Sequence, residues 1–237
     1  MSLRKIFIKI YKNIVYILLK PLLIKEYNFQ REILNERPVE YAFVLKHISK
    51  IYPKKILDVG PGKSSLPHLL YNCGFHVTAI DEMKSCWKEN VDNRHFWIFK
   101  DNITNPQIKG SFDLITCIST LEHIAEHKKA IKNMFALLKN GGYLILSFPY
   151  NEKKYIYNIY DSPEAGYGKS NPYICQIFSR NEIESWLDEN NGVLIDQEYY
   201  KVFTGKYWTY GKRLNVPQKV SKKKKHHLTA LIIKKSG

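Results

Sequence analysis

The chain has 237 residues, 44% hydrophobic and 25% charged, with 37 Lys and Arg against 22 Asp and Glu for a net charge of +15. That apolar fraction excludes a disordered chain, and the length suits one α/β domain with a small appendage. Four cysteines, at 73, 86, 117 and 175, form no Cys-x-x-Cys pair and have no His at metal-ligand spacing; this excludes a zinc module or disulfide scaffold, predicts no metal and suits a reducing, cytoplasmic compartment.

The charge is unevenly placed. Residues 1–25 carry six cations and no acid, residues 201–237 carry eleven and no acid, and the stretch between has 20 basic against 22 acidic residues. A balanced middle with two basic ends is drawn to something anionic: phosphate backbone, acidic lipid headgroups or a phosphorylated substrate.

In chain order, residues 3–24 read LRKIFIKIYKNIVYILLKPLLI. Lys9, Lys12 and Lys20 interrupt any membrane span, and Pro21 is expected to bend its end. No small-residue cleavage site follows, as a secretory signal would need. The segment reads as a basic amphipathic helix, either lying in the inner face of a membrane with its lysines snorkelling or packing on the domain or a second copy. Residues 1–37 are therefore set apart from a domain of residues 38–237.

Pro38 starts a helix that Pro53 ends. Strands are predicted at 55–59, 76–80, 95–99, 112–118 and 143–148, alternating with helices at 64–73, 82–89 and 122–139, the last stopped by Asn140-Gly141-Gly142. Alternation of this kind specifies a parallel sheet wound by right-handed crossovers. Residues 149–178 then change character, with Tyr150, Tyr155, Tyr157, Tyr160, Tyr167 and Tyr173 among Asn, Gly, Pro and Ser, which reads as a lid or binding loop. A helix capped by Ser179 and Glu182 and strands at 193–204 and 227–234 complete seven strands, with 222–225 as a solvated basic loop.

The chemistry gathers at the ends of the first strands. Asp58-Val59-Gly60-Pro61-Gly62 follows the first, and Asp81 closes the second. A glycine turn admits a ligand to the backbone, and an acid about 20 residues on grips both hydroxyls of a ribose. Gly62-Lys63-Ser64 imitates the end of a phosphate loop, but Leu57 stands where that motif needs Gly. Ser65 likewise replaces the third glycine of a dinucleotide fingerprint.

With these residues the chain resembles the class I S-adenosylmethionine-dependent methyltransferases, closely over residues 38–148 and loosely beyond. Asp58, Gly60 and Gly62 look like the family's first motif and Asp81 like its ribose acid. Asp101-Asn102 resembles the pair that recognises adenine, the run from Phe112–Ile115 through Leu121–Ile124 resembles the fourth strand and the helix after it, and Gly141–Leu146 looks like the entry to the fifth strand. Ser64 departs from the family's frequent third glycine. The resemblance implies a Rossmann-like doubly wound α/β sheet, mostly parallel with an antiparallel last strand and helices on both faces, with S-adenosylmethionine as cofactor. Cys117, late in a buried strand, is expected to line the cofactor side as a small core residue and not as a nucleophile.

A methyl donor of this kind asks mainly that the acceptor be held in line and kept dry. For a hydroxyl acceptor a base helps; His123, beside Glu122, is the first candidate and Asp161 the second. The segment Cys117-Ile118-Ser119-Thr120 lacks the Asn-Pro-Pro-Tyr-like run of base amino methyltransferases, and Thr116 replaces the Pro of a Pro-Cys nucleophile. The expected reaction is O-methylation of a glycan or lipid-linked small molecule near the membrane. The rivals are an RNA methyltransferase clamping its substrate with basic ends and Trp208, Tyr207 and Tyr210, and a nucleoside-binding protein of the same fold without activity.

Overall fold

The computed structural model describes residues 3–28, 35–82 and 96–237. The chain divides into a unit ending at Leu34 and a second from Asn35 to Gly237. The first unit is one helix, α1 (Leu3–Asn28), which runs on through Pro21 where the sequence predicts a bend. At about 100° per residue, Lys9, Lys12 and Lys20 share one stripe of α1, while Ile6, Phe7, Ile10, Ile14, Ile17 and Leu18 form a broad opposite face. Those six apolar side chains are solvent-exposed.

The second unit is built on an eight-stranded sheet in the order β3-β2-β1-β4-β5-β8-β6-β7. Its centre, β1 (Lys55–Val59) and β4 (Phe112–Ile118), consists of near-continuous apolar runs, as strands covered on both faces require. β2 (His76–Asp81), β3 (Phe99–Lys100) and β5 (Leu138–Pro149) extend them in parallel. β8 (Leu228–Lys235) lies antiparallel between β5 and β6 (Gly192–Phe203). Helices α2 (Arg37–Ile51) and α3 (Leu66–Asn72) bury Phe43, Val44, Ile48, Leu66 and Leu70 against one face. Helices α4 (His127–Leu137) and α5 (Arg180–Glu189) bury Ile131, Met134, Phe135, Ile183 and Trp186 against the other. Strand order reverses between β1 and β4, and the crevice at the carboxyl ends of such a switch point is where open α/β sheets bind ligands.

Three expectations are corrected. The sheet has an eighth strand, β7 (Arg213–Val220), antiparallel to β6 at the edge. Its Pro217 and exposed Lys219 suit an edge and hide the period-two signal. The helix predicted at 122–139 begins at His127, because residues 121–123 form a separate 3-10 turn. Gln176 takes the carbonyls of Glu122 and Ile124 through its backbone and side-chain N–H groups, and those tertiary bonds displace the helical ladder. Of the helix predicted at 82–89 only Glu82 lies within the described residues, and of the strand predicted at 95–99 the paired part is Phe99–Lys100, with His95 outside them.

Segment 150–178 is pinned by bridges Tyr150 to Phe178, Ile156 to Ile177 and Ala165 to Tyr210. Tyr150 and Tyr160 are core residues, whereas Tyr157 and Tyr167 are exposed.

Candidate active site

The site grows from the end of β1. Gly60 has φ +69° and Gly62 φ +52°, values that side chains resist. A Cβ on Gly60 would stand 2.1 Å from Thr120 Cγ2, so the turn is pressed against the segment leaving β4. Gly60 N–H donates to Ile80 O at 2.8 Å, and Thr120 Oγ1 donates to Gly60 O at 2.7 Å. Gly62 N–H donates to Asp81 Oδ2 at 3.0 Å, tying the turn to the tip of β2. Turn and acid, linked only by spacing in the sequence, are thus brought together.

Asp58 is only 2% exposed. Its Oδ1 accepts from Thr116 Oγ1 at 2.5 Å, and its Oδ2 is buried without a partner. Burial pushes this carboxyl up to about 7. Asp101 accepts from the backbone N–H groups of Asn102, Gln107 and Ile108, so its two oxygens brace its own loop. Asn102 donates from Nδ2 to Glu82 Oε1 at 3.2 Å, and its Oδ1 accepts from Thr104. Cys117 is fully buried in the core on the α4 face, and burial drives its thiol well above its ordinary range. Its Sγ therefore packs in the core instead of lining an opening.

The candidate base sits on the 3-10 turn after β4, joined to the glycine turn through Thr120, whose carbonyl accepts from His123 N–H. His123 Nδ1 is 2.6 Å from Ile174 O. A carbonyl only accepts, so Nδ1 carries the proton and the neutral ring leaves its lone pair on Nε2. Burial lowers the His123 pKa. Glu122 Oε1 is 3.9 Å from that Nε2, and burial pushes Glu122 up to about 8, with Oε2 unpartnered. Both shifts oppose charge, so at neutral pH the two are neutral neighbours and not an ion pair. The Tyr173 ring meets the imidazole edge-on at 4.7 Å. Asp161, the second candidate, is exposed and accepts from Asn158 Nδ2 at 2.8 Å.

Sequence reasoning missed a polar cluster on α2. Glu40, 0% exposed, accepts from Ser119 Oγ at 2.6 Å, Ser147 Oγ at 2.7 Å and Arg37 Nη1 at 3.0 Å. Arg37 also donates to Ile118 O at 3.2 Å. Ser119 holds φ +46°, a strained backbone fixed by these bonds and by its N–H to Ser147 O. Tyr41 OH and Ser64 Oγ, 2.6 Å apart, link α2 to the glycine turn. A carboxylate at position 40 on the stripe of Phe43, Val44 and Ile48 was the available signal, since a charge on a buried face needs a partner.

A model of the methyltransferase domain matches residues 31–197. The ubiquinone biosynthesis O-methyltransferase of Coxiella burnetii (strain RSA 493 / Nine Mile phase I) is 29% identical over 168 residues, covering 67% of this chain and 71% of that protein. The same-named protein of Idiomarina loihiensis is 29% identical over 117 residues, where the chain spans about half (48%) of that relative's length. Among solved structures, the N-methyltransferase NodS of Bradyrhizobium japonicum WM9 with S-adenosyl-L-homocysteine superposes with TM-score 0.53 at 13% identity, covering 87% of this chain and 90% of that one. The 1,6-didemethyltoxoflavin-N1-methyltransferase of Burkholderia thailandensis gives TM-score 0.56 at 14% identity, covering 95% and 90%. At these identities the structural likeness is one of fold.

Proposed function

The chain belongs to the methyltransferase-domain family, and from that premise we propose that it transfers a methyl group from S-adenosylmethionine to a hydroxyl oxygen of a glycan or lipid-linked small molecule, near a membrane surface. The residues at the switch point fit the cofactor: a positive-φ glycine turn at Gly60 and Gly62, an orphaned carboxyl oxygen on Asp58, and Asp81 at the next strand tip. When bound, S-adenosylmethionine supplies a methyl group activated on a sulfonium. In this reading Asp81 takes the ribose hydroxyls and the Gly60–Gly62 backbone admits the methionine part. Arg37, the cation beside Glu40, would meet the cofactor's carboxylate. Asp101 and Asn102 hold the loop that borders the adenine side.

The observation that carries the choice of a hydroxyl acceptor is the His123 tautomer. Its Nδ1 proton is committed to Ile174 O, so Nε2 is the atom that accepts a proton from the acceptor. A lowered pKa keeps it unprotonated at neutral pH. Glu122, neutral beside it, does not compete for that proton. The names of the O-methyltransferase relatives agree in reaction type.

A membrane setting draws on α1, whose lysine stripe and broad apolar face match an interfacial helix. No described helix is long and apolar enough to cross a membrane.

The test is transfer of tritiated methyl from S-adenosylmethionine to lipid, glycan and RNA fractions of a bacterial extract by the full chain. Alkali-stable label in the lipid or glycan fraction is expected, with His123→Gln lowering kcat about a hundredfold while cofactor affinity is unchanged. Label confined to RNA, or none despite measured cofactor binding, overturns the assignment.

A further inference from the structure

The carboxyl edge of the sheet carries more than the glycine turn. Pro149, at the end of β5, and Tyr200, near the end of β6, both pair with Leu228 at the start of β8. The connection 204–212 after β6 and the connection 221–227 before β8 therefore leave the sheet at the end where the Gly60 turn follows β1 and His123 follows β4. Segment 150–178 rises from that same end.

Exposed lysines gather there, among them Lys154, Lys206, Lys212 and Lys225. Lys225 Nζ donates to Thr204 O at 2.7 Å. Thr204 N–H donates to Lys212 O at 2.9 Å, and Lys212 N–H to Thr204 Oγ1 at 2.9 Å. Lys206 Nζ lies 5.2 Å and Lys154 Nζ 5.9 Å from the centre of the Tyr207 ring. The nearby ion pairs, Lys219 with Glu198 and Lys222 with Glu152, leave Lys154, Lys206, Lys212 and Lys225 without a carboxylate partner among the described residues.

The backbone that presents these cations is fixed at a cost. Thr209, β-branched and buried, holds φ +67° and leaves its Oγ1 unpartnered. Gly211 holds φ +71°, and a Cβ on Gly205 would stand 2.4 Å from Tyr210. Thr209 O accepts from Gly166 N–H at 3.0 Å, which locks the connection to segment 150–178, and Gly205 N–H donates to Tyr210 O at 2.9 Å, which closes the connection on itself. A strained, over-determined loop carrying unpaired like charges is what a preorganised anion site requires. Simple solvation of lysines needs no such backbone.

We propose that connections 204–212 and 221–227, with Lys154, form a phosphate-binding rim at the mouth of the active site. It engages a phosphate group on the methyl acceptor or on the lipid that carries it. Tyr207 and Tyr210, with rings 5.5 Å apart, supply the adjoining apolar surface. The rim is confined to two short connections and one lysine, which suits one or two phosphates better than an RNA backbone. The inference rests on the reading of this end as the active site, and deepens it by giving the acceptor a phosphate.

The test uses the full chain and Lys154→Gln/Lys206→Gln/Lys212→Gln, with Lys206→Gln/Lys212→Gln as the milder variant. Inorganic pyrophosphate binding is measured by calorimetry, and flotation with phosphatidylcholine vesicles is compared with and without phosphatidylglycerol. Cofactor affinity reports that each variant is folded. A tenfold or greater loss of pyrophosphate affinity assigns a soluble phosphate ester; the same loss seen only with anionic vesicles assigns a lipid-borne phosphate. Variants indistinguishable from wild type with both probes, or variant-sensitive binding to a short RNA alone, overturn the proposal. Asp81→Asn separates the two readings, because it is expected to lose cofactor affinity and keep the phosphate response.

Discussion

Asp58 shows how a residue of the candidate site is held against its own preference. Burial with a single hydroxyl partner leaves it half-satisfied, and its raised pKa of about 7 has a sign that can be tested. A carboxyl whose folded pKa exceeds its unfolded value of about 4 stabilises the fold fully below that value. The contribution fades as pH rises and is gone above about pH 7. Asp58→Asn is therefore expected to match wild type in thermal stability near pH 4 and to exceed it by a margin that grows to pH 7 and is then constant. A margin independent of pH contradicts this. His227 works on the other limb: its Nδ1 accepts from Val202 and Phe203 N–H, and burial lowers it to about 4. Its stabilisation is complete above about pH 6.5 and is lost as pH falls toward 4. Comparing variant with wild type cancels that term. At this scale Gly60, Gly62, Asp58 and Asp81 were legible because one short run and one spaced acid encode them. Arg37 and Glu40 were not, because Glu40 meets Ser119 and Ser147 across 79 and 107 residues of chain.

At the scale of elements, agreement follows local chemistry. The capping box at α5 was readable as Ser179 and Glu182 and is formed on both sides. Removing its hydroxyl with Ser179→Ala is expected to cost about 1 kcal/mol, lowering Tm by about 3 °C in a unit of this size. An unchanged Tm would show that packing of Trp186 alone fixes the helix. Misreadings occur where distant partners decide. Residues 121–126 have helix-compatible composition, yet Gln176 and Ile174 draw Glu122, His123 and Ile124 into a turn and an extended step. The same competition delivers His123 to the site, so the failed helix and the candidate base share one cause. β7 was hidden because an exposed edge strand has no apolar face to display.

For the whole molecule, the parallel core follows from the alternation of apolar runs and helical stretches, whereas the antiparallel β8 was implied by the family resemblance. The charge distribution is a separate layer: a near-neutral middle between basic ends places cations on α1 and on the connections around β7. The sheet carries the central claim, that its carboxyl edge holds S-adenosylmethionine between the glycine turn and Asp81. Calorimetric titration of S-adenosylmethionine into wild type and Asp81→Asn tests it most directly. The account predicts one-to-one binding to wild type and at least tenfold weaker binding to the variant, with its fold intact by circular dichroism. Equal affinities, or no binding to wild type, would contradict it.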